Sequence, residues 1–195
     1  MRRVCVFCGS SFGRRPRYQA HARALAEALV GAGMGLVYGG TQVGLMGVLA
    51  DTVLAQGGEV LGVIPEPLVA LEVAHRGLTQ LHVVGSMHER KAMMADLADA
   101  FVALPGGLGT LEETFEIITW AQLGLHTKPV GLLDTDGYYG PLLAFIDRAI
   151  AEGFIAKEHT ALLLTAPEPE QLLEAILHYR PPALPPKWWL KPEQT

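Results

Sequence analysis

The chain has 195 residues, a formal net charge of −5 and 18% charged residues, and half of it is hydrophobic. That balance suits one domain with a substantial core and argues against a nucleic-acid binder that neutralises phosphates along a backbone. A small anion stays possible, because it needs only local positive groups.

The chain opens Met1-Arg2-Arg3-Val4-Cys5-Val6-Phe7-Cys8. The apolar run is too short for a signal peptide and lacks a cleavage site, and no stretch is long enough to span a membrane, so a cytoplasmic protein is expected. Residues 3–8 read as a strand ending in Gly9-Ser10-Ser11. Cys5 and Cys8 form a C-x-x-C, but redox pairs of that spacing work at a helix N-terminus. On a strand, positions three apart point to opposite faces, so both cysteines read as core or pocket-edge residues.

Residues 16–30 read as an amphipathic helix stopped by Gly31 and Gly33, and 36–38 as a second strand. The glycine-rich turn from Gly39 to Gly47 opens a second helix, which ends near Gly57-Gly58. Residues 59–64 form a third strand, followed by an irregular polar stretch over 66–79. Residues 80–84 read as a strand. Residues 86–98 read as a helix with Ser86 and Glu89 as a capping box. Further strands fall at 100–104, 129–133 and 162–164, with helices at 115–120, 139–152 and 168–178. Strands alternating with helices predict an α/β fold, a Rossmann-like doubly wound parallel sheet with helices on both faces. Residues 1–180 make a single nucleotide-binding domain. Residues 181–195 form a proline-rich tail whose Trp188 and Trp189 can anchor on a partner or on the domain itself.

The chain is organised around Pro105-Gly106-Gly107-Leu108-Gly109-Thr110-Leu111-Glu112-Glu113. A glycine loop joins a strand end to a helix start, where the first N–H groups are unpaired and the dipole is positive. A phosphate is the usual guest of such a place. Thr110-x-x-Glu113 also reads as a capping box, and the two roles can coexist. Ligands of these sheets sit at the carboxyl ends of strands, where Gly9-Ser10-Ser11, the Gly39–Gly47 turn and the Pro105–Thr110 loop all converge.

The dinucleotide fingerprint, the Walker lysine, the G-x-S-x-G elbow and H-x-x-x-H metal spacing are all absent. A mononucleotide or sugar phosphate is left. On the 86–98 helix, Met87, Arg90, Met94 and Leu97 share a face. Arg90 either snorkels outward or points into the pocket toward Glu113 or a ligand hydroxyl. Lys91 either meets a phosphate or is a solvated lysine, and His88 is a solvated or capping residue at least as readily as a catalytic one. Glu72 reads as an exposed loop acid.

Together, Cys8-Gly9-Ser10-Ser11, Tyr38-Gly39-Gly40 with Gly44-Leu45-Met46-Gly47, Met87-His88-Glu89-Arg90-Lys91 and the Pro105–Glu113 stretch resemble the Lonely Guy family. Its members are cytokinin riboside 5′-monophosphate phosphoribohydrolases, long mislabelled as lysine decarboxylases. The resemblance runs from the first strand to the last helix. It implies hydrolysis of the N-glycosidic bond of cytokinin riboside 5′-monophosphates and AMP, with release of the base and ribose 5-phosphate and with no cofactor or metal. It implies catalytic roles for Arg90 and Glu113. The phosphate falls to Gly107, Leu108, Gly109 and Thr110; Glu72, Lys91 and Thr119 match other binding positions, and Gly9 and Ser10 of the first loop join them. Many relatives carry a third glycine where this chain has Thr41, which alters the shape of that pocket wall. The resemblance implies a homodimer with its site near the subunit interface; charge and hydropathy lead us to expect neither a nucleic acid nor a membrane as partner. The alternative is a non-catalytic nucleotide or molybdenum-cofactor carrier on the same fold. A lysine decarboxylase is a third and poorer candidate, because no lysine sits in a recognisable pyridoxal phosphate setting.

Overall fold

The computed structural model describes residues 2–70 and 74–183, so Glu72, Trp188 and Trp189 lie outside the described residues. Seven parallel strands form one sheet in the order β4-β3-β2-β1-β5-β6-β7. They are β1 Arg3–Phe7, β2 Gly35–Tyr38, β3 Val60–Pro65, β4 Gln80–Val84, β5 Ala100–Ala103, β6 Val130–Leu133 and β7 Leu163–Ala166. The helices are α1 Pro16–Gly31, α2 Gly44–Ala55, α3 Glu66–Ala70, α4 Met87–Leu97, α5 Leu108–Gln122, α6 Gly140–Ala151 and α7 Pro169–Leu177.

Side-chain alternation along the central strands splits the core into two layers. Val4, Val6 and Cys8 pack with α1, α2 and α7 on one face. Cys5 and Phe7 pack on the other, with Met94 of α4 and Ile117 of α5. Both cysteines are free and buried, one in each layer. From β1 the chain steps outward through β2, β3 and β4, then α4 carries it back to β5 on the other side of β1. The order reverses between β1 and β5, and the crevice lies beyond their carboxyl ends.

The structure corrects three local readings. The stretch over 66–79 is not wholly irregular, since α3 occupies its start. Ser86 Oγ accepts from the Glu89 N–H at 3.1 Å, but Glu89 Oε2 accepts from the Gly85 N–H at 2.8 Å, one residue earlier than a capping box would have it. Helix α5 begins at Leu108 with Gly107 as its N-cap and no side-chain cap, so Thr110 and Glu113 lie inside the helix and form no capping box.

Candidate active site

Beyond the ends of β1 and β5 lies a cleft of about 270 Å³ whose lining includes Cys8, Ser10, Gly39, Met46, Met87, Arg90, Glu113 and the start of α5. Its floor is the end of β1, and its walls are α4 and α5. Two of the glycines that shape it have no substitute. Gly44 has φ +57°, and a Cβ there would stand 2.3 Å from the Ser10 carbonyl carbon. A Cβ on Gly106 would stand 2.1 Å from Thr110 Oγ1 and 2.9 Å from the Gly9 nitrogen. The three loops therefore touch backbone to backbone. The Gly9 N–H donates to Pro105 O at 3.2 Å, and Gly9 O accepts from the Leu45 N–H at 3.1 Å.

Of the loop residues expected to hold a phosphate, Gly107, Leu108 and Gly109 are exposed, and Leu108 is 86% exposed. The first hydrogen bond of α5 runs from the Leu111 N–H to Gly107 O at 3.1 Å. The N–H groups of Leu108, Gly109 and Thr110 precede it and have no acceptor within the helix. Thr110 is buried against Gly106. Ser10 lines the cleft, and Gly9 lies under it as the tie between loops.

Arg90 does not snorkel. Its Nη2 donates to Glu113 Oε1, its Nη1 lies 3.8 Å from Met87 Sδ, and its buried Nε has no partner among the described residues. Gly39 makes room for it, since a Cβ there would lie 3.0 Å from Arg90 Nη2. Glu113 is only 7% exposed. Burial pushes its carboxyl above the usual range; Arg90 pulls it back, and Glu112 pushes it up again. A buried pair of this kind contributes little net stability, while losing either partner strands a charge.

Lys91 is placed otherwise than the sequence suggests. It is buried, and its Nζ donates to Glu112 Oε1 at 2.5 Å and Glu116 Oε1 at 3.1 Å. Burial works against its charge, but the hydrogen bonds to Glu112 and Glu116 outweigh it and leave its pKa above the ordinary value. It joins α4 to α5 and is not part of the cleft lining. Thr119 is not brought to the cleft either. Its hydroxyl donates to Phe115 O at 2.7 Å, and it lines a separate apolar depression of about 360 Å³ with Phe115, Ile118 and Leu143.

Tyr138 and Tyr139 carry no readable signal in the sequence. Tyr138 Oη donates to Gly106 O and Tyr139 Oη to Leu104 O, each at 2.6 Å. Met46 and Met87 give the cleft an adaptable apolar wall. Thr41 is buried, with its hydroxyl 3.4 Å from Met46 Sδ, and forms an isolated bridge with Ala74. Glu112 and Glu116 had one clue: acids four apart share a helix face, though nothing in the sequence names Lys91 as what they meet.

A family model described as possible lysine decarboxylase matches residues 46–176. A probable cytokinin riboside 5′-monophosphate phosphoribohydrolase of Oryza sativa subsp. japonica is 54% identical over 180 residues, covering 92% of this chain and 79% of the relative. A cytokinin riboside 5′-monophosphate phosphoribohydrolase of Arabidopsis thaliana is 51% identical, covering 92% of this chain and 83% of the relative. Among solved structures, a molybdenum cofactor binding protein from the phototrophic bacterium Rippkaea orientalis superposes with a TM-score of 0.68 at 22% identity, covering 90% of this chain and 95% of that one. The molybdenum cofactor carrier protein of Chlamydomonas reinhardtii gives 0.66 at 21% identity, covering 90% and 96%. At such identities the structural likeness shows the fold.

Proposed function

The chain belongs to the Lonely Guy family of cytokinin riboside 5′-monophosphate phosphoribohydrolases, and from that premise we propose that its cleft hydrolyses the N-glycosidic bond of these nucleotides and of AMP. The observation that carries the reading is the buried Arg90–Glu113 pair beside the open N-terminus of α5. In this reading the 5′-phosphate rests on the N–H groups of Gly107, Leu108, Gly109 and Thr110, where unpaired donors and the helix dipole both favour an anion. Arg90 orients the ribose hydroxyls and holds Glu113 in place.

Breaking the bond to the base builds positive charge on the sugar. Glu113, fixed and poorly solvated, stabilises that charge or steers the water to C1′. The C1′–N bond breaks, a C1′–O bond to water forms, and a water proton ends on the departing base. Help of this kind is worth about 10²–10⁴-fold.

The carrier alternative gives Arg90 and Glu113 no chemical task. A decarboxylase through pyridoxal phosphate needs a free amine at the cleft, whereas Lys91 is committed to two carboxylates. Among the described residues no helix is long and apolar enough to cross a membrane. The reading includes a homodimer in the cytoplasm. Support for the dimer comes from exposed apolar side chains on and beside α5 and α6, with Phe145 68% and Phe154 87% exposed.

The test is chromatographic. The native chain should release adenine from AMP and the free base from its isopentenylated form, and Glu113→Gln should bind AMP yet release nothing. Full turnover by that variant would defeat the assignment. Mixing inactive Arg90 and Glu113 variants should restore nothing, because both members of the pair come from the same chain.

A further inference from the structure

Gly106 and Gly107 stand side by side at the start of the cradle, and glycine is the residue least able to hold one conformation by itself. An anion site of backbone N–H groups works best when those groups are fixed beforehand. Something outside the loop must supply the rigidity. Three successive carbonyls show what does. Leu104 O accepts from Tyr139 Oη at 2.6 Å, Pro105 O from the Gly9 N–H at 3.2 Å, and Gly106 O from Tyr138 Oη at 2.6 Å.

Every peptide bond among the described residues is trans, so each carbonyl and the N–H that follows it point opposite ways. Pulling Gly106 O toward Tyr138 turns the Gly107 N–H away from the tyrosine. Tyr138 lines an adjoining depression with Gly9, Tyr18 and Gly106, which shares Ser10 and Gly107 with the cleft, and does not itself line the cleft. Its own position is secured. Its ring packs edge-on against Tyr18 at 5.9 Å and Tyr139 at 5.0 Å, and its N–H donates to Thr135 O at 3.1 Å. The Tyr139 N–H donates to Asp134 Oδ1 at 2.6 Å, which fixes the turn carrying both rings.

We infer that Tyr138 is a positioning residue for phosphate recognition, its hydroxyl setting the Gly106–Gly107 peptide through the Gly106 carbonyl. This rests on the phosphate reading of the loop. Tyr138→Phe keeps the ring and removes only the hydroxyl. Affinity for inorganic phosphate and for ribose 5-phosphate, measured by calorimetry on the full chain, should fall about fivefold, the worth of one ordinary hydrogen bond. The KM for AMP should rise by the same factor with kcat within about twofold, since the hydroxyl stays clear of the sugar. Tyr18→Phe removes a neighbouring hydroxyl that makes no hydrogen bond to the loop, and phosphate binding should be unchanged. Equal phosphate affinity in Tyr138→Phe and the native chain overturns the inference, as does a fall in kcat at constant KM. If the native chain releases no base from AMP while its phosphate affinity still depends on Tyr138, the phosphoribohydrolase reading falls and the positioning role stands.

Discussion

Gly109 separates what the fold requires from what a ligand requires. It is the second residue of α5, exposed, with no left-handed backbone angle, and a Cβ built on it meets nothing within 4 Å. Nothing in the fold calls for glycine there. Alanine in a helix is better by about 0.5–1 kcal/mol, and in a chain of this size that raises the melting temperature by about 1–4 °C. The same Cβ would stand beside the Gly109 N–H, where a phosphate oxygen must approach to about 2.9 Å. Losing one hydrogen bond to a charged group costs about 1.5–3 kcal/mol, so the KM for AMP should rise roughly tenfold to a hundredfold. Gly109→Ala is thus expected to be more stable and a worse enzyme, read by calorimetric melting and by chromatographic release of adenine. Gly106→Ala should lose on both counts, because its Cβ would lie 2.1 Å from Thr110 Oγ1. A Gly109→Ala protein with a raised melting temperature and a KM within twofold of native would refute the phosphate assignment of this loop.

Activity should fall on the acid side at a pH above the ordinary glutamate range, because burial raises the Glu113 pKa and the carboxylate is the working form. The fold holds that proton more tightly than the unfolded chain does, so this group's contribution to stability declines as pH rises through its pKa; a pH–rate profile and melting curves over the same range check both signs. Lys91→Met should lower stability by about 1–2 kcal/mol and move the acid limb of the profile further up, since Lys91 pulls the Glu113 pKa down. An unmoved acid limb would show that the lysine does not act on Glu113. Gly39→Ala should cut kcat about tenfold by crowding the Arg90 guanidinium, which a Cβ would approach to 3.0 Å, and steady-state kinetics reads it directly.

The fold was legible because its signals are local and repeated. Short apolar runs alternate with helical periods, and the opposed burial of Cys5 and Cys8 follows from strand geometry alone. Helix starts were less legible. Thr110-x-x-Glu113 has the letters of a cap, but Gly107 already turns the chain and α5 is under way before Thr110. Six residues beyond Glu113, Thr119 lies on another face of the same helix, so its inclusion among binding residues came from resemblance alone. Where Lys91 goes depends on how α4 and α5 pack, a relation between distant segments that no local spacing encodes. Tyr138 and Tyr139 were invisible for the same reason: their hydroxyls act on backbone 32 and 35 residues away in sequence. Glu72 lies outside the described residues, and its role stays a reading from resemblance.

The Arg90–Glu113 pair is poorly explained by stability. Well-packed apolar residues in place of a buried ion pair are often neutral or stabilising by about 1–4 kcal/mol. Both layers of this core are already dense in apolar side chains, and Cys8 and Met94 from the two layers line the very cleft that holds the charges. An apolar pair there would suit the fold at least as well. What it would remove is a carboxylate held nearly dry, aimed by a guanidinium that Gly39 leaves room for, next to helix donors that have no acceptor inside the helix. Charges interact more strongly where water is excluded, so a developing cation at that spot is stabilised far more than it would be in solvent. On the proposed assignment of Glu113, the apolar floor from Val6 to Cys8 has a chemical task beside its structural one, keeping that carboxylate poorly solvated and its field at the sugar strong.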